Sequence, residues 1–76
     1  MPMQRVGTVS RTAQGVAIVQ LDGETPEIGT VVVDESLSRV GRIVDVFGPV
    51  DRPYAAISPA SGRSPTSLVG SKLYAR

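Results

Sequence analysis

Glycine and proline divide this sequence into short apolar segments, and no window places apolar residues at helical spacing over three turns. The chain has eight Gly and six Pro in 76 residues, and most segments between them are rich in valine and isoleucine. Short β-branched segments separated by turn-forming residues are typical of strands. Because a small sheet must protect its edges, this pattern favours an all-β barrel or sandwich.

Six segments have the composition of strands. They are residues 5–10, 15–21, 30–33, 40–47, 54–58 and a last strand made of residues 68–69 and 72–74, hinged at Gly70. The polar residues 11–14 are predicted to connect the first two strands. Asp22-Gly23 is a turn signal, because glycine adopts positive φ without steric cost. The last strand is expected to close the barrel by pairing with an early strand.

Residues 40–54, VGRIVDVFGPVDRPY, predict a strand, a sharp turn and a second strand. Gly48-Pro49 ends the first strand, because proline lacks an N–H group and fixes φ. Side chains alternate along a strand. One face would therefore hold Val40, Arg42, Val44 and Val46, and the other face would hold Gly41, Ile43, Asp45 and Phe47. Neither face is polar throughout. Either a bulge shifts the alternation partway, or both faces are covered, one by the core and one by a partner.

Two other segments are predicted to be loops. Residues 34–38 predict a turn in which Leu37 is the apolar anchor and the adjacent carboxylates are solvated. Residues 60–67, ASGRSPTS, contain few large apolar groups, so they are expected to form a mobile surface loop. The alternative is a loop that becomes ordered on contact with a partner.

The residue types most often used in catalysis are missing from the sequence. The chain has no His and no Cys, which removes the commonest general base, metal ligand and thiolate nucleophile. Asp45 and Asp51 flank the Gly-Pro turn, but arginines lie nearby and favour surface ion pairs. Phosphate-loop and dinucleotide-binding motifs are also absent. We therefore expect no enzymatic activity from this chain alone, and no metal or cofactor.

Size and charge limit the function further. A domain this small buries only about 60% of its unfolded surface. Because the chain can form no disulfide, binding to a partner is the remaining way to stabilise the folded domain. The net charge of +1 lacks the basic excess of a protein that grips phosphate backbones. The three aromatic residues, Phe47, Tyr54 and Tyr74, are expected in the core rather than as base-stacking platforms. No apolar run is long enough to span a bilayer and no signal peptide is recognisable, so we expect a cytoplasmic protein.

The stretch around the Gly-Pro turn resembles the core motif of the Gar family, the small subunit of H/ACA ribonucleoproteins. In that family a strand ending in Val/Ile-x-Asp-Val/Ile-Phe-Gly-Pro-Val precedes a Pro-Tyr strand. The matching residues are Val44, Asp45, Val46, Phe47, Gly48, Pro49, Val50, Pro53 and Tyr54. Arg5-Val6-Gly7 departs mildly from the family's Leu-Gly start. Because the Arg/Gly-rich flanks of eukaryotic members are absent, the chain resembles an archaeal member, with residues 1–76 as a single Gar-type core domain.

The resemblance implies a small closed six-stranded β-barrel of the Gar or split-barrel, translation-factor-like type. It implies a barrel without catalytic residues that docks on a TruB-like pseudouridine synthase, which isomerises a uridine chosen by an H/ACA guide RNA. The barrel would promote substrate loading and product release in rRNA modification, and hence ribosome biogenesis. The guide RNA complex would be an indirect partner, and no membrane or small-molecule partner is implied.

The residues predicted to bind the synthase are Val44, Val46, Gly48, Pro49, Val50, Pro53 and Tyr54. The two strand valines, or their opposite-face neighbours if a bulge intervenes, would join an apolar docking patch. The Gly-Pro turn would form a rigid ridge, which lowers the ordering cost of binding. Two alternatives stay open: a small RNA-binding domain, and another adaptor barrel in RNA processing, such as a PRC-barrel or an assembly-factor relative of the Gar family.

Overall fold

The computed structural model describes residues 4–22 and 25–76, and these residues form six β-strands and one short 3₁₀ helix. In chain order these elements are β1 (Gln4–Ala13), β2 (Val16–Leu21), β3 (Val31–Val33), β4 (Arg39–Phe47), β5 (Tyr54–Pro59), the 3₁₀ helix (Pro65–Leu68) and β6 (Lys72–Ala75). The strands close into a barrel in the order β1-β2-β5-β4-β3-β6.

Every neighbouring pair of strands is antiparallel. The last strand, β6, completes the ring by pairing with β1 on one side and with β3 on the other. The all-β class and the closed six-stranded barrel are therefore confirmed, as is the pairing of the last strand with an early one.

Small and branched apolar side chains fill the inside of the barrel. Along β2 the inward residues alternate, because successive side chains of a strand point to opposite faces. Within the described ranges no polar or charged side chain is buried, so the core holds apolar side chains alone. Its members are Val6, Val9, Ala17, Val19, Leu21, Val32, Val40, Ile43, Ala55, Ile57, Leu68 and Leu73.

The predicted connection at residues 11–14 is wrong, because β1 continues to Ala13 and leaves only Gln14 and Gly15 in the turn. These two residues have φ of 50° and 82°, and positive φ at both positions is typical of the two-residue hairpin turn. The composition of residues 11–13 concealed the strand, since they show no apolar alternation. The predicted turn at Asp22-Gly23 lies partly outside the described residues.

Residues 68–69 do not begin the last strand as predicted. Leu68 instead ends the 3₁₀ helix that starts at Pro65. Proline fits at the start of a helix because the N–H groups of the first turn have no acceptor within the helix. Leu68 is buried in the core, whereas Val69 is exposed. The mobility of residues 60–67 stays a prediction. The predicted anchor of the β3–β4 turn is wrong: Leu37 has a positive φ of 69° and is 60% exposed.

Two bulges in β4 decide which of its side chains face outward. The register shifts by one residue at Val40 against β3, and by one residue at Val44 against β5. An extra residue on one strand bends that strand and resets the alternation of its side chains. Val40 and Ile43 are therefore both buried, although regular alternation would place them on opposite faces. The bulge explanation for the mixed faces of this strand is confirmed.

Gly41 lets β4 and β5 approach closely beside the first bulge. A Cβ atom at this position would overlap the carbonyl oxygen of Ser58 and lie 3.0 Å from the side chain of Ile57. Backbone atoms of a paired strand cannot move aside without breaking the ladder. Glycine is therefore required at this position, because the neighbouring strand leaves no room for a Cβ atom.

We predict that Gly41→Ala lowers the free energy of unfolding by about 3 kcal/mol, the upper part of the range for overpacked sites. The control is Gly62→Ala, since Gly62 has φ of +85° and no other group lies within 4 Å of the place that an added methyl group would occupy. That control should cost about 1 kcal/mol, from the positive φ alone. Urea unfolding followed by circular dichroism measures the free energy of unfolding of both variants. Equal losses in the two variants would show that the close approach of β4 and β5 does not cause the destabilisation.

Candidate functional site: the outer face of the β4–β5 hairpin

The outer face of the β4–β5 hairpin carries several exposed apolar side chains. Val44, the bulged residue, is 43% exposed, and Phe47 at the end of β4 is 38% exposed. The bulge places both on the outside, although regular alternation would put them on opposite faces. Val50 at the tip of the hairpin is fully exposed. We call Val44, Phe47, Val50 and Tyr54 the outer patch.

The aromatic rings of Phe47 and Tyr54 stack across the hairpin. The two residues are direct partners in the register of β4 and β5, and their ring centroids lie 5.9 Å apart with an angle of 19° between the planes. An aromatic pair at this separation contributes about 0.5–1.5 kcal/mol beyond its buried area. The expected core position is wrong for Phe47, while Tyr54 and Tyr74 are half-buried.

Backbone hydrogen bonds fix the turn between the two strands. The N–H group of Arg52 donates to the carbonyl oxygen of Pro49 at 3.1 Å. At the base of the hairpin, the N–H group of Leu21 in β2 donates to the carbonyl oxygen of Pro53, also at 3.1 Å. The turn is therefore closed on itself and also attached to the neighbouring strand.

Gly48 makes the sharp change of direction at the start of this turn. Its φ of +99° lies in the region that favours glycine. A Cβ atom at this position would lie 3.1 Å from both the carbonyl oxygen of Arg52 and the ring of Tyr54. The backbone that presents Val50 to solvent is thus held in one shape.

The structure brings most of the predicted partner-binding residues together at this end of the barrel. Val44, Gly48, Pro49 and Val50 are exposed, and Pro53 and Tyr54 are half-buried. Val46 differs, because the bulge turns its side chain inward, where it is partly buried against the core. Phe47 takes its place on the outside and was absent from the predicted set. The signal that could have found it was the mixed polarity of both faces of the strand.

The outer side of the β2–β5 ladder also carries apolar side chains, but these are buried rather than exposed. Ile18 and Ala56 are direct partners in the ladder of β2 and β5, and both are buried although neither belongs to the inner core. Since Ala17 and Val19 point inward, Ile18 lies on the outer side. The sequence signal for this covered outer side was the apolar character of both faces of residues 16–21.

The ion pairs of the described residues lie away from the outer patch. Arg5 pairs with Asp22 at 3.0 Å and Arg63 pairs with Asp34 at 3.2 Å. The ion pairs predicted around the Gly-Pro turn are not among them. Residues 4–22 and 25–76 also contain no helix of the length and apolarity needed to cross a membrane, and no cluster of three or more acidic side chains placed to hold a metal ion.

Asp34 organises the β3–β4 turn with both carboxylate oxygens. Oδ1 accepts hydrogen bonds from the hydroxyl and the N–H group of Ser36 and from the N–H group of Ser38. Oδ2 accepts from the guanidinium of Arg63, which comes from residues 60–67. The hydroxyl of Ser36, with the backbone and Arg63 donors, lowers the pKa of Asp34 from 3.8 to about 2.

Acid should destabilise the wild-type protein through Asp34. Because its pKa is lower in the folded state, its stabilisation is present above pH 3.8 and is lost as the pH falls towards about 2. We predict that Asp34→Asn has a lower Tm than the wild type at neutral pH, and that the difference disappears near pH 2. Thermal melting from neutral to acidic pH measures this difference.

The control for this measurement is Asp45→Asn, which changes an exposed carboxylate on β4. This variant should leave the Tm at neutral pH close to that of the wild type, since substitutions at exposed positions usually change stability little. A pH-independent difference for Asp34→Asn would contradict the prediction, since loss of turn geometry alone does not titrate.

Comparisons with known proteins agree with this architecture. The family described as "Gar1/Naf1 RNA binding region" matches residues 3–76. Among solved structures, the Gar1 domain of Naf1 superimposes with a TM-score of 0.77 at 16% sequence identity, covering 97% of this chain and 81% of that chain. At this identity the likeness shows the fold, which is the same barrel.

Two curated relatives come from archaeal methanogens. A protein of Methanothermobacter thermautotrophicus is 29% identical over 75 residues, which cover 95% of this chain and 82% of the relative. A protein of Methanocaldococcus jannaschii is 36% identical over 55 residues, which cover 72% of this chain and 65% of the relative. Both relatives are described as uncharacterized proteins, so they inform on ancestry and not on activity.

Proposed function

Because the chain belongs to the Gar1/Naf1 family, we propose that it is a non-catalytic subunit of an H/ACA ribonucleoprotein. Its barrel docks on the TruB-like pseudouridine synthase subunit and promotes guide-RNA-directed pseudouridylation of rRNA. The synthase supplies the chemistry, and this chain supplies a rigid surface that assists substrate loading and product release. Docking on the synthase brings the chain into the particle that holds the guide RNA.

The observation that carries this proposal is the outer patch. Val44, Phe47 and Val50 remain exposed on a barrel whose own core is already filled by other side chains. Single exposed apolar residues are normal on protein surfaces, but a group on one hairpin is typical of a binding site. Aromatic residues are enriched in protein interfaces, and the stacked pair of Phe47 and Tyr54 lies within this group.

The rigidity of the hairpin supports the same proposal. Its turn is closed by the hydrogen bond from Arg52 to Pro49 and attached to β2 through Pro53. A surface already held in its bound shape loses less conformational entropy when it docks. The affinity gained from a few apolar side chains is therefore not offset by the ordering of a loop.

Docking promotes turnover if it favours one of two positions of a substrate-gripping loop in the synthase. A bound partner shifts such an equilibrium only by the difference between its contacts with the two states. The outer patch provides contacts that are available to one loop position and not to the other. This role requires no acid, base or nucleophile from the barrel.

We predict that Val44→Asp weakens binding to the synthase subunit at least tenfold, because it places a charge within a desolvated apolar contact. Isothermal titration calorimetry with the two purified subunits measures the affinity. The matched control is Val69→Asp, since Val69 is 49% exposed and Val44 is 43% exposed, but Val69 lies beyond the 3₁₀ helix and away from the hairpin. Circular dichroism and Tm establish that both variants fold.

Equal affinity of the two variants would place the docking surface elsewhere on the barrel. A wild-type chain that does not bind the synthase would contradict the proposed function itself. If the wild type binds but does not raise multiple-turnover pseudouridylation in the reconstituted particle, the chain is a transient assembly factor rather than a resident subunit. The small RNA-binding domain is favoured only if the chain binds RNA tightly and does not bind the synthase.

A further inference from the structure

A second surface on the barrel has a different chemical character from the outer patch. A shallow groove of about 340 Å³ runs beside the outer side of β4, between β5 and the start of residues 60–67. Its polar lining consists of two arginines and two serines, and its apolar lining includes Val44 and Pro59. The polar residues are Arg39, Arg42, Ser58 and Ser61.

The first bulge of β4 brings the two arginines to the same groove. Positions 39 and 42 would face opposite sides of a regular strand, because side chains alternate. The extra residue at Val40 shifts the register against β3, so Val40 and Gly41 are buried while Arg39 and Arg42 are exposed. The groove therefore depends on an irregularity of the strand.

Both guanidinium groups are available to bind an anion. The ion pairs of the described part of the chain join Arg5 to Asp22 and Arg63 to Asp34, so they use neither arginine of the groove. No acidic residue lines the groove. The hydroxyl groups of Ser58 and Ser61 add donors beside the two positive charges, which together form a site for an anion with several acceptor oxygens.

Arginine forks bind carboxylate and phosphate with similar geometry, so the lining must distinguish the two. Serine hydroxyls and arginines are frequent contacts of phosphate and sugar in nucleic-acid complexes. No aromatic side chain lines the groove, so it lacks a platform for stacking bases and suits the backbone alone. The family to which the chain belongs is described as an RNA binding region, which favours phosphate over an acidic peptide.

We propose that the groove of Arg39 and Arg42 holds the phosphodiester backbone of RNA without reading its sequence. Val44 lines this groove and also belongs to the outer patch. RNA held here would therefore run along the border of the surface proposed to dock on the synthase. The contact is local, which is compatible with a net charge of only +1.

The salt dependence of binding gives a quantitative test. Each phosphate contact with a single strand contributes about −0.7 to the slope of log K against log salt concentration, so two contacts give about −1.4. Fluorescence anisotropy of a labelled, mixed-sequence, single-stranded RNA is measured with the full chain between about 50 and about 200 mM salt. Arg42→Gln should weaken binding about threefold to fivefold and make the slope shallower by about 0.7.

The control is Arg11→Gln, which removes the same charge from an exposed arginine on β1. Arg11 pairs with β2 rather than with β4, so this variant should keep most of the affinity and the slope. Equal losses in the two variants would overturn the proposal and indicate diffuse attraction to net charge. Undetectable binding of the wild type at about 50 mM salt would overturn it as well.

A polyglutamate peptide tests the competing ligand in the same assay. If the peptide binds more tightly than the RNA and this binding requires Arg42, the groove takes an acidic protein segment and the proposal is wrong. The RNA titration uses the chain alone, so its outcome is independent of docking on the synthase. Arg42→Gln is also expected to leave synthase affinity within about twofold, since exposed charge pairs at the rim of an interface contribute little.

Discussion

Closure of the barrel by β6 is the constraint on which the other features depend. This strand of four residues, Lys72–Ala75, pairs with β1 and β3 and leaves neither of them as a free edge. The chain has no cysteine to stabilise a small domain, so its stability rests on the apolar interior that closure encloses. Closing a ring from so few strands requires sharp local curvature, which bulges and close glycine contacts provide.

The same irregularities produce the surfaces proposed for binding. The bulge at Val40 turns Arg39 to the side of Arg42, and the bulge at Val44 turns Phe47 to the outer side with Val44. Each effect follows from one extra residue in one strand of a pair. Barrel geometry and surface chemistry are therefore linked in β4, and a regular strand in its place would bury or separate these groups.

Most of the strands and their closure into a barrel follow from the sequence. Apolar β-branched segments and turn residues locate β2 to β5, and the motif around Gly48 and Pro49 identifies the family. Side-chain direction beyond Val44 does not follow, because a bulge is a property of two paired strands and the register is absent from a single sequence. For this reason the sequence alone predicts Val46 on the outside and Phe47 in the core. It also predicts Leu68 in a strand, because a short 3₁₀ helix leaves no periodic signal.

The position of β6 has a consequence for biosynthesis. Its partners β1 and β3 lie far upstream in the sequence, so the ring stays open until residues 72–75 have left the ribosome. The β1–β2 and β4–β5 hairpins are local and form early, whereas pairing between distant segments is slow. Until then, valine-rich inner faces and unpaired strand edges are accessible to other chains, which is the condition for aggregation. A newly made chain is therefore most vulnerable just before its last strand emerges.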